Sequence, residues 1–254
     1  MNSYPERRIR IKLKVSHLKQ KYEGMPIIDD ISFHLDKNEF VTLIGPSGCG
    51  KSTIFNMISG IVPIDEGKIC IDGQDYTGEP GHVSYMYQKD LLLPWKRVID
   101  NTALPLFIKG EPVEQARKKV IPYLKLFGLE SFEYKYPFQL SGGMRQRAAL
   151  LRTYMFSRDI VLLDEPFGGL DAITRSKMQT WLLQVIEKIK PSVLFITHDI
   201  EEAIYLSDRI YVLSDRPAQI KEEVQISLPK PREREIITSQ AFNQIKRRVL
   251  SNLS

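Results

Sequence analysis

Three groups of residues in this chain have types and spacings that could do chemistry. The first is Gly45-Pro46-Ser47-Gly48-Cys49-Gly50-Lys51-Ser52-Thr53. Gly-x-x-x-x-Gly-Lys-Ser after an apolar run and before a run of helix formers is the pattern of a phosphate-binding loop. Its glycines allow tight backbone curvature, so successive N–H groups can face one polyphosphate. Lys51 supplies a point charge for the β- and γ-phosphates, and Ser52 offers a hydroxyl to Mg²⁺. Cys49 fills a variable position of the loop and reads as a passenger rather than a nucleophile.

The second group is acidic. The apolar run "IVLLDEP" ends in Asp164 and Glu165. Asp164, at the end of a buried strand, can hold Mg²⁺ directly or through water beside the phosphate loop. Glu165 can polarise a water aimed at the γ-phosphate. His198 closes another apolar run, "SVLFITHD", where a γ-phosphate contact is open to it. Gln88 closes "VSYMYQ"; a neutral amide there can touch Mg²⁺ and position water without changing the charge. The third group is Ser141, Gly142 and Gly143 in "QLSGGMRQRAAL". A serine hydroxyl and glycine amides at a helix start make a second anion site.

The elements that must position these groups follow from periodicity. "IRIKLKV" alternates, with Ile9, Ile11, Leu13 and Val15 on one face of a strand. In "GMPIIDDISFHLDKNEFVTLIG", Asp36–Glu39 is a turn between two strands. "GKICIDG" and "VSYMYQ" are short strands. From about 90 the chain turns helical, and "EPVEQARKKVIPYLKLFGL" carries Pro112 near its start and Gly128 near its end. Pro122 falls inside that helix and predicts a kink or break. "DIVLLDE" and "SVLFITHD" are unbroken apolar runs, as expected of strands buried on both faces of a parallel sheet. "DAITRSKMQTWLLQVIEKIK" between them has helical spacing. The tail after Pro231 predicts a short amphipathic helix or a loose extension.

The bulk numbers narrow the class. The chain has 254 residues, 43% hydrophobic and 26% charged, which excludes a disordered chain. No apolar run is long enough to span a bilayer. The charged N-terminus shows no secretory signal, and two cysteines make no disulfide framework. The net charge of +5 is spread along the chain, with small clusters at 7–21 and 230–248. No basic motif interleaved with aromatics argues for nucleic acid, so none is expected as a partner.

Taken in order, the phosphate loop, Gln88, "LSGGMRQR", "VLLDEPFGGLD" and His198 resemble the motif set of ABC transporter ATPase subunits. The resemblance runs from about Ile9 to Val224. It implies an α/β fold of the P-loop NTPase class: a mostly parallel core sheet, an N-terminal antiparallel β subdomain and a helical subdomain inserted at about 90–157. Residues 1–225 would form the ATPase domain and 226–254 a short C-terminal extension. It implies ATP and Mg²⁺ as ligands and two chains paired head to tail. Ser141, Gly142 and Gly143 would then close over ATP held by the partner chain's loop. Tyr22 stands where the family stacks an aromatic ring on adenine, and Asp171 of "GGLD" where it speaks across the dimer interface. Met144 departs from the glutamine usual at that place and cannot donate a hydrogen bond.

"MYQKDLLLPWKRVIDN", "DEPFGGLDAITR" and "LPKPRERE" look like the nitrate/sulfonate/taurine importer group, which also includes bicarbonate and thiamine-precursor uptake. That implies transmembrane permease subunits as separate chains, a solute-binding protein outside the cell, and a place on the cytoplasmic face of the membrane. Leu91, Leu92, Leu93 and Trp95 would offer apolar surface to the permease. The alternatives are an ABC ATPase acting on a soluble macromolecule, or a subunit that binds ATP without hydrolysing it. The interval of about ninety residues between phosphate loop and signature has no room for a long coiled coil. Intact Glu165 and His198 argue against the non-hydrolysing form.

Overall fold

A computed structural model describes residues 11–157 and 159–253. The expected strand position Ile9 lies outside them. Among the described residues, ten strands form two sheets. Strands β1 (Ile11–Tyr22), β2 (Met25–Asp36), β4 (Glu66–Ile71) and β5 (Gln74–Asp75) make an antiparallel sheet in the order β2-β1-β4-β5. Strands β3 (Phe40–Ile44), β6 (Ser84–Met86), β7 (Ile160–Asp164), β8 (Ser192–Thr197), β9 (Arg209–Leu213) and β10 (Ile220–Gln225) make the second, in the order β10-β9-β3-β8-β7-β6. All its pairings are parallel except β9 with β10.

Side-chain alternation explains the layering. In β3, β7, β8 and β9 nearly every residue is apolar and buried, because both faces of this sheet are covered. Val41, Leu43, Ile160, Leu162, Leu194, Ile196, Tyr211 and Leu213 point to one side. There they join Leu13, Val15 and Phe33 of the antiparallel sheet and the buried face of α1 (Lys51–Ile58). Phe40, Ile44, Val161, Leu163, Val193, Phe195, Ile210 and Val212 point to the other. They meet α2 (Val98–Ile108), α3 (Val113–Leu124), α4 (Gly142–Phe156), α5 (Ala172–Ile189), α6 (Ile200–Leu206) and α7 (Gln240–Leu253).

Two expectations are corrected, for Pro122 and Gln88. The alternation in β1 does not continue evenly: His17 takes a left-handed φ of 51° and the register slips between Val15 and Leu18. That bulge lets the strand run on to Tyr22. Pro122 does not break α3, which continues to Leu124. The proline is exposed on the solvent face, where water can satisfy the carbonyl that loses its donor. Gln88 does not end a strand: β6 stops at Met86, and Gln88 lies two residues beyond it. Of its two expected forms the tail takes the helix. A 3-10 turn, Arg234–Thr238, leads into the 14-residue α7, whose Phe242 and Val249 are fully buried.

Candidate functional site

The parallel strands bring their C-terminal ends to one edge in register. Ile44 pairs with Thr197, Asp164 with Ile196, and Met86 with Leu163. The loops after these four strands are therefore neighbours. In open α/β sheets this edge is where ligands sit.

After β3 comes the loop from Gly45 to Gly50, and then α1. Gly45 packs so closely on β9 that a Cβ there would lie 3.0 Å from Leu213 Cβ. Gly50 caps α1 at φ 119°, a conformation L side chains rarely adopt, against Ile27 and Ile28 of β2. Pro46, Ser47 and Gly48 form the outer rim, with Ser47 and Gly48 exposed. Cys49 is buried and unbonded to another cysteine, and its amide donates to Pro46 O at 3.3 Å within the loop. Lys51 is 7% exposed, and its Nζ donates to the carbonyls of Gly45 and Pro46, both at 2.8 Å. A buried ammonium arched over a loop at a helix N-terminus is a strongly anion-seeking arrangement. Ser52 and Thr53 occupy the first turn of α1.

Asp164 ends β7 with 7% exposure. Its carboxylate accepts a hydrogen bond from Tyr85 Oη at 3.1 Å, with the Ser52 side chain beside it. Burial pushes its pKa up, with the Glu165 charge adding to the rise. The Ser52 and Tyr85 hydroxyls and the Lys51 charge oppose it. Tyr85 itself was not expected from the sequence. Its phenol titrates well above its usual range because of burial and the adjacent Asp164. The signal was available: a tyrosine in a buried apolar strand needs a partner for its hydroxyl.

Glu165 follows in the left-handed region, at φ 43°. A non-glycine residue there stores on the order of 1–3 kcal/mol of strain. Its backbone is fixed by N–H donation to Ile196 O at 3.0 Å and by acceptance from Gly168 N at 2.9 Å. The turn thus aims the side chain away from Asp164. Gln88 Nε2 donates to Glu165 Oε2 at 3.3 Å, and His198 Nδ1 lies 3.1 Å from Glu165 Oε1. Gln88 and His198 are exposed while Glu165 is partly sheltered. Three residues from three strand ends thus meet around one carboxylate.

The remaining expected residues lie elsewhere. Ser141 is the N-cap of α4, its Oγ accepting from Met144 N at 3.3 Å. Gly142 abuts Leu170, and Gly143 abuts Thr174 and Met178 of α5. Asp171 caps α5, accepting from the amides of Ile173 and Thr174 at 3.1 and 3.0 Å. These backbone donors hold its carboxyl below the usual range. So the starts of α4 and α5 stand together, and among the described residues no backbone hydrogen bond joins them to the phosphate loop of the same chain. Tyr22, at the end of β1 opposite Met25, is 44% exposed. Of the four apolar residues after Gln88, Leu92 is buried in the core, which corrects its expected place on the surface. Leu91 and Trp95 are exposed, Trp95 at 70%. This segment is tied to α4: Arg145 Nε reaches Asp90 at 3.2 Å, and Arg152 donates to the carbonyls of Asp90 and Leu91.

Comparison with known proteins agrees with this geometry. The ABC transporter family profile matches residues 28–168. The chain is 42% identical to an uncharacterised ABC transporter ATP-binding protein of Methanocaldococcus jannaschii, over 97% of this chain and 92% of that protein. It is also 42% identical to the aliphatic sulfonates import ATP-binding protein SsuB of Bacillus cereus, over 88% of this chain and 87% of that one. Among solved structures it resembles a dimeric bacterial ABC transporter cassette, MJ0796. The TM-score is 0.72 and the identity 28%, covering 85% of this chain and all of that one.

Proposed function

The chain belongs to the ABC transporter family, and on that premise we propose that it is the ATP-hydrolysing subunit of an importer, driving a separate permease for a small solute. The observation that carries the reading is the convergence of Gln88 and His198 on Glu165, at the sheet edge that also holds Lys51, Ser52 and Asp164.

In this reading ATP lies along the loop 45–53. The amides at the N-terminus of α1 and Lys51 Nζ take its β- and γ-phosphates, and Tyr22 stacks on the adenine. Ser52, Asp164 and Gln88 present hard oxygens that suit Mg²⁺, which when bound neutralises charge between the phosphates. Glu165 takes a proton from the attacking water, Gln88 positions that water, and His198 steadies the γ-phosphate. Ser141, Gly142 and Gly143 act on the ATP of a second ATPase chain, with Asp171 at the same interface. The dimeric form of the solved relative supports such pairing. ATP then favours the closed pair through contacts that need its γ-phosphate, and hydrolysis releases them.

We read residues 1–225 as the ATPase domain, with the helical insertion at about 90–157, and 226–254 as its extension. Leu91 and Trp95 are the apolar residues offered to the permease. No described helix is long and apolar enough to cross a membrane, so the spanning part is assigned to other chains on whose cytoplasmic face this one sits. The sulfonate importer relative supports an organosulfur cargo, delivered by a solute-binding protein. A tagged copy recovered from host membranes in mild detergent should bring a polytopic permease with it. Recovery of ribosomes or DNA-repair factors instead would overturn the importer assignment.

A further inference from the structure

Away from the strand ends, a cavity of about 800 Å³ opens between α5 and the segment from Lys230 to Glu235. That is within the range of small-molecule sites, roughly 300–1,000 Å³. Its floor is apolar: Phe40 and Leu206 are buried, and Leu183 and Ile186 are partly buried. Its wall carries two guanidinium groups. Arg232 is 6% exposed, and only its Nη1 is engaged, with the carbonyls of Ile204 at 3.4 Å and Tyr205 at 3.0 Å. Its Nε and Nη2 are buried with no hydrogen-bond partner among the described residues. A half-satisfied guanidinium is costly to bury, and its charge favours an anion in the cavity that Arg232 lines. Arg234 donates from Nη1 to Gln179 Oε1 at 2.6 Å and lies over the Tyr205 ring, 5.1 Å from its centroid.

The acids around the cavity do not cancel these charges. Asp208 is already paired with Lys230 and accepts from Phe40 N at 3.1 Å. Glu187, Glu233 and Glu235 are exposed, where water and salt screen them. A buried chain of hydrogen bonds leads from Arg234 toward the strand ends. Gln179 and Glu202 are 3% and 4% exposed, and Gln179 Nε2 donates to Glu202 Oε1 at 2.8 Å. Glu202 N–H in turn donates to Asp199 Oδ1, and Asp199 N–H donates to Thr197 Oγ1, both at 3.0 Å, on either side of His198.

We propose that this cavity binds a small organic anion with an apolar body, held by Arg232 and Arg234, and that its occupancy is felt at His198 through Gln179, Glu202, Asp199 and Thr197. Any effect on turnover rests on the role proposed above for His198; the binding itself does not. An anion that draws Arg234 away from Gln179 leaves the amide free to shift, and Glu202, Asp199 and Thr197 follow.

The test uses 1-naphthalenesulfonate, with neutral 1-naphthalenemethanol as control. Each is titrated into the full chain at saturating ADP, which fills the phosphate-loop site. Calorimetry reports binding, and ring spectra of labelled histidine report His198 against His17, His34 and His82. The proposal expects one saturable sulfonate site, roughly tenfold or more weaker for the neutral probe, as the loss of a charge-assisted contact implies. Arg234→Gln should weaken the sulfonate by a similar factor. So should Gln184→Trp, which fills the cavity from an exposed position on α5 without changing charge. The His198 signal should move on saturation. Absence of saturable binding, equal binding of the two probes, parental affinity in either variant, or an unmoved His198 signal at saturation would each overturn it.

Discussion

At the residue scale the site is built from side chains held against their own preferences. Asp164 is a buried carboxylate whose pKa is raised chiefly by desolvation. Between the ordinary carboxylate value and the raised one, the folded chain keeps a proton that the unfolded chain has lost. Folding stability therefore falls as pH rises through that window, and the cost persists above it. Asp164→Asn should melt at a higher temperature than the parent at neutral pH. The gap between the two should shrink as the pH is lowered, and Mg²⁺-dependent ATP binding should disappear. Thermal melts at several pH values with ATP titrations check all three. A stabilising change that removes function is the expected mark of a site residue rather than a packing residue. Glu165 carries the same signature in its backbone, where a left-handed turn turns it from Asp164 toward Gln88 and His198. Of this cluster the sequence disclosed Lys51, Ser52, Gln88, Asp164, Glu165 and His198, because each sits at a fixed offset from an apolar strand. It did not disclose Tyr85, which acts by hydrogen-bonding Asp164 and belongs to no spacing pattern.

At the element scale, the unbroken apolar runs of β7 and β8 were readable because burial on both faces leaves no polar position. The helix through Pro122 was not, because whether a proline breaks a helix depends on which face it occupies and on what reaches the orphaned carbonyl. The tail was readable only as two alternatives, for a similar reason. Its apolar residues are few, and their value lies in what they meet: α7 packs on α6, β9 and β10, and Phe242 is fully buried. Phe242→Ala should cost about 3–5 kcal/mol, the range for removing a buried phenylalanine. Urea unfolding measures it directly. A loss within about 0.5 kcal/mol, as for a surface change, would mean that α7 is not part of the cooperative fold. The helix also follows directly on the segment that walls the cavity beside α5, so its packing keeps Arg232 and Arg234 in place.

At the scale of the whole molecule, the two anion-seeking helix starts face different tasks. The α1 start completes a site with Lys51, Asp164 and Glu165, while the α4 start stands with α5 and has no such partners in its own chain. In the proposed pairing a second ATPase chain, a copy or a homologue, lets each α4 start serve the other's nucleotide. The proposed coupling surface follows the same logic. Trp95→Ser should leave stability within about 0.5 kcal/mol, as an exposed position allows, yet reduce ATP-driven uptake in reconstituted vesicles; unchanged uptake would remove Trp95 from the interface. The most direct test of the central claim is Glu165→Gln, followed by hydrolysis and size-exclusion chromatography with ATP and Mg²⁺. Loss of a general base costs roughly 10²–10⁴-fold in rate, so the variant should hold ATP and elute as a stable dimer while the parent does not. A variant that hydrolyses ATP at the parental rate and stays monomeric would contradict both the role of Glu165 and the paired-site reading.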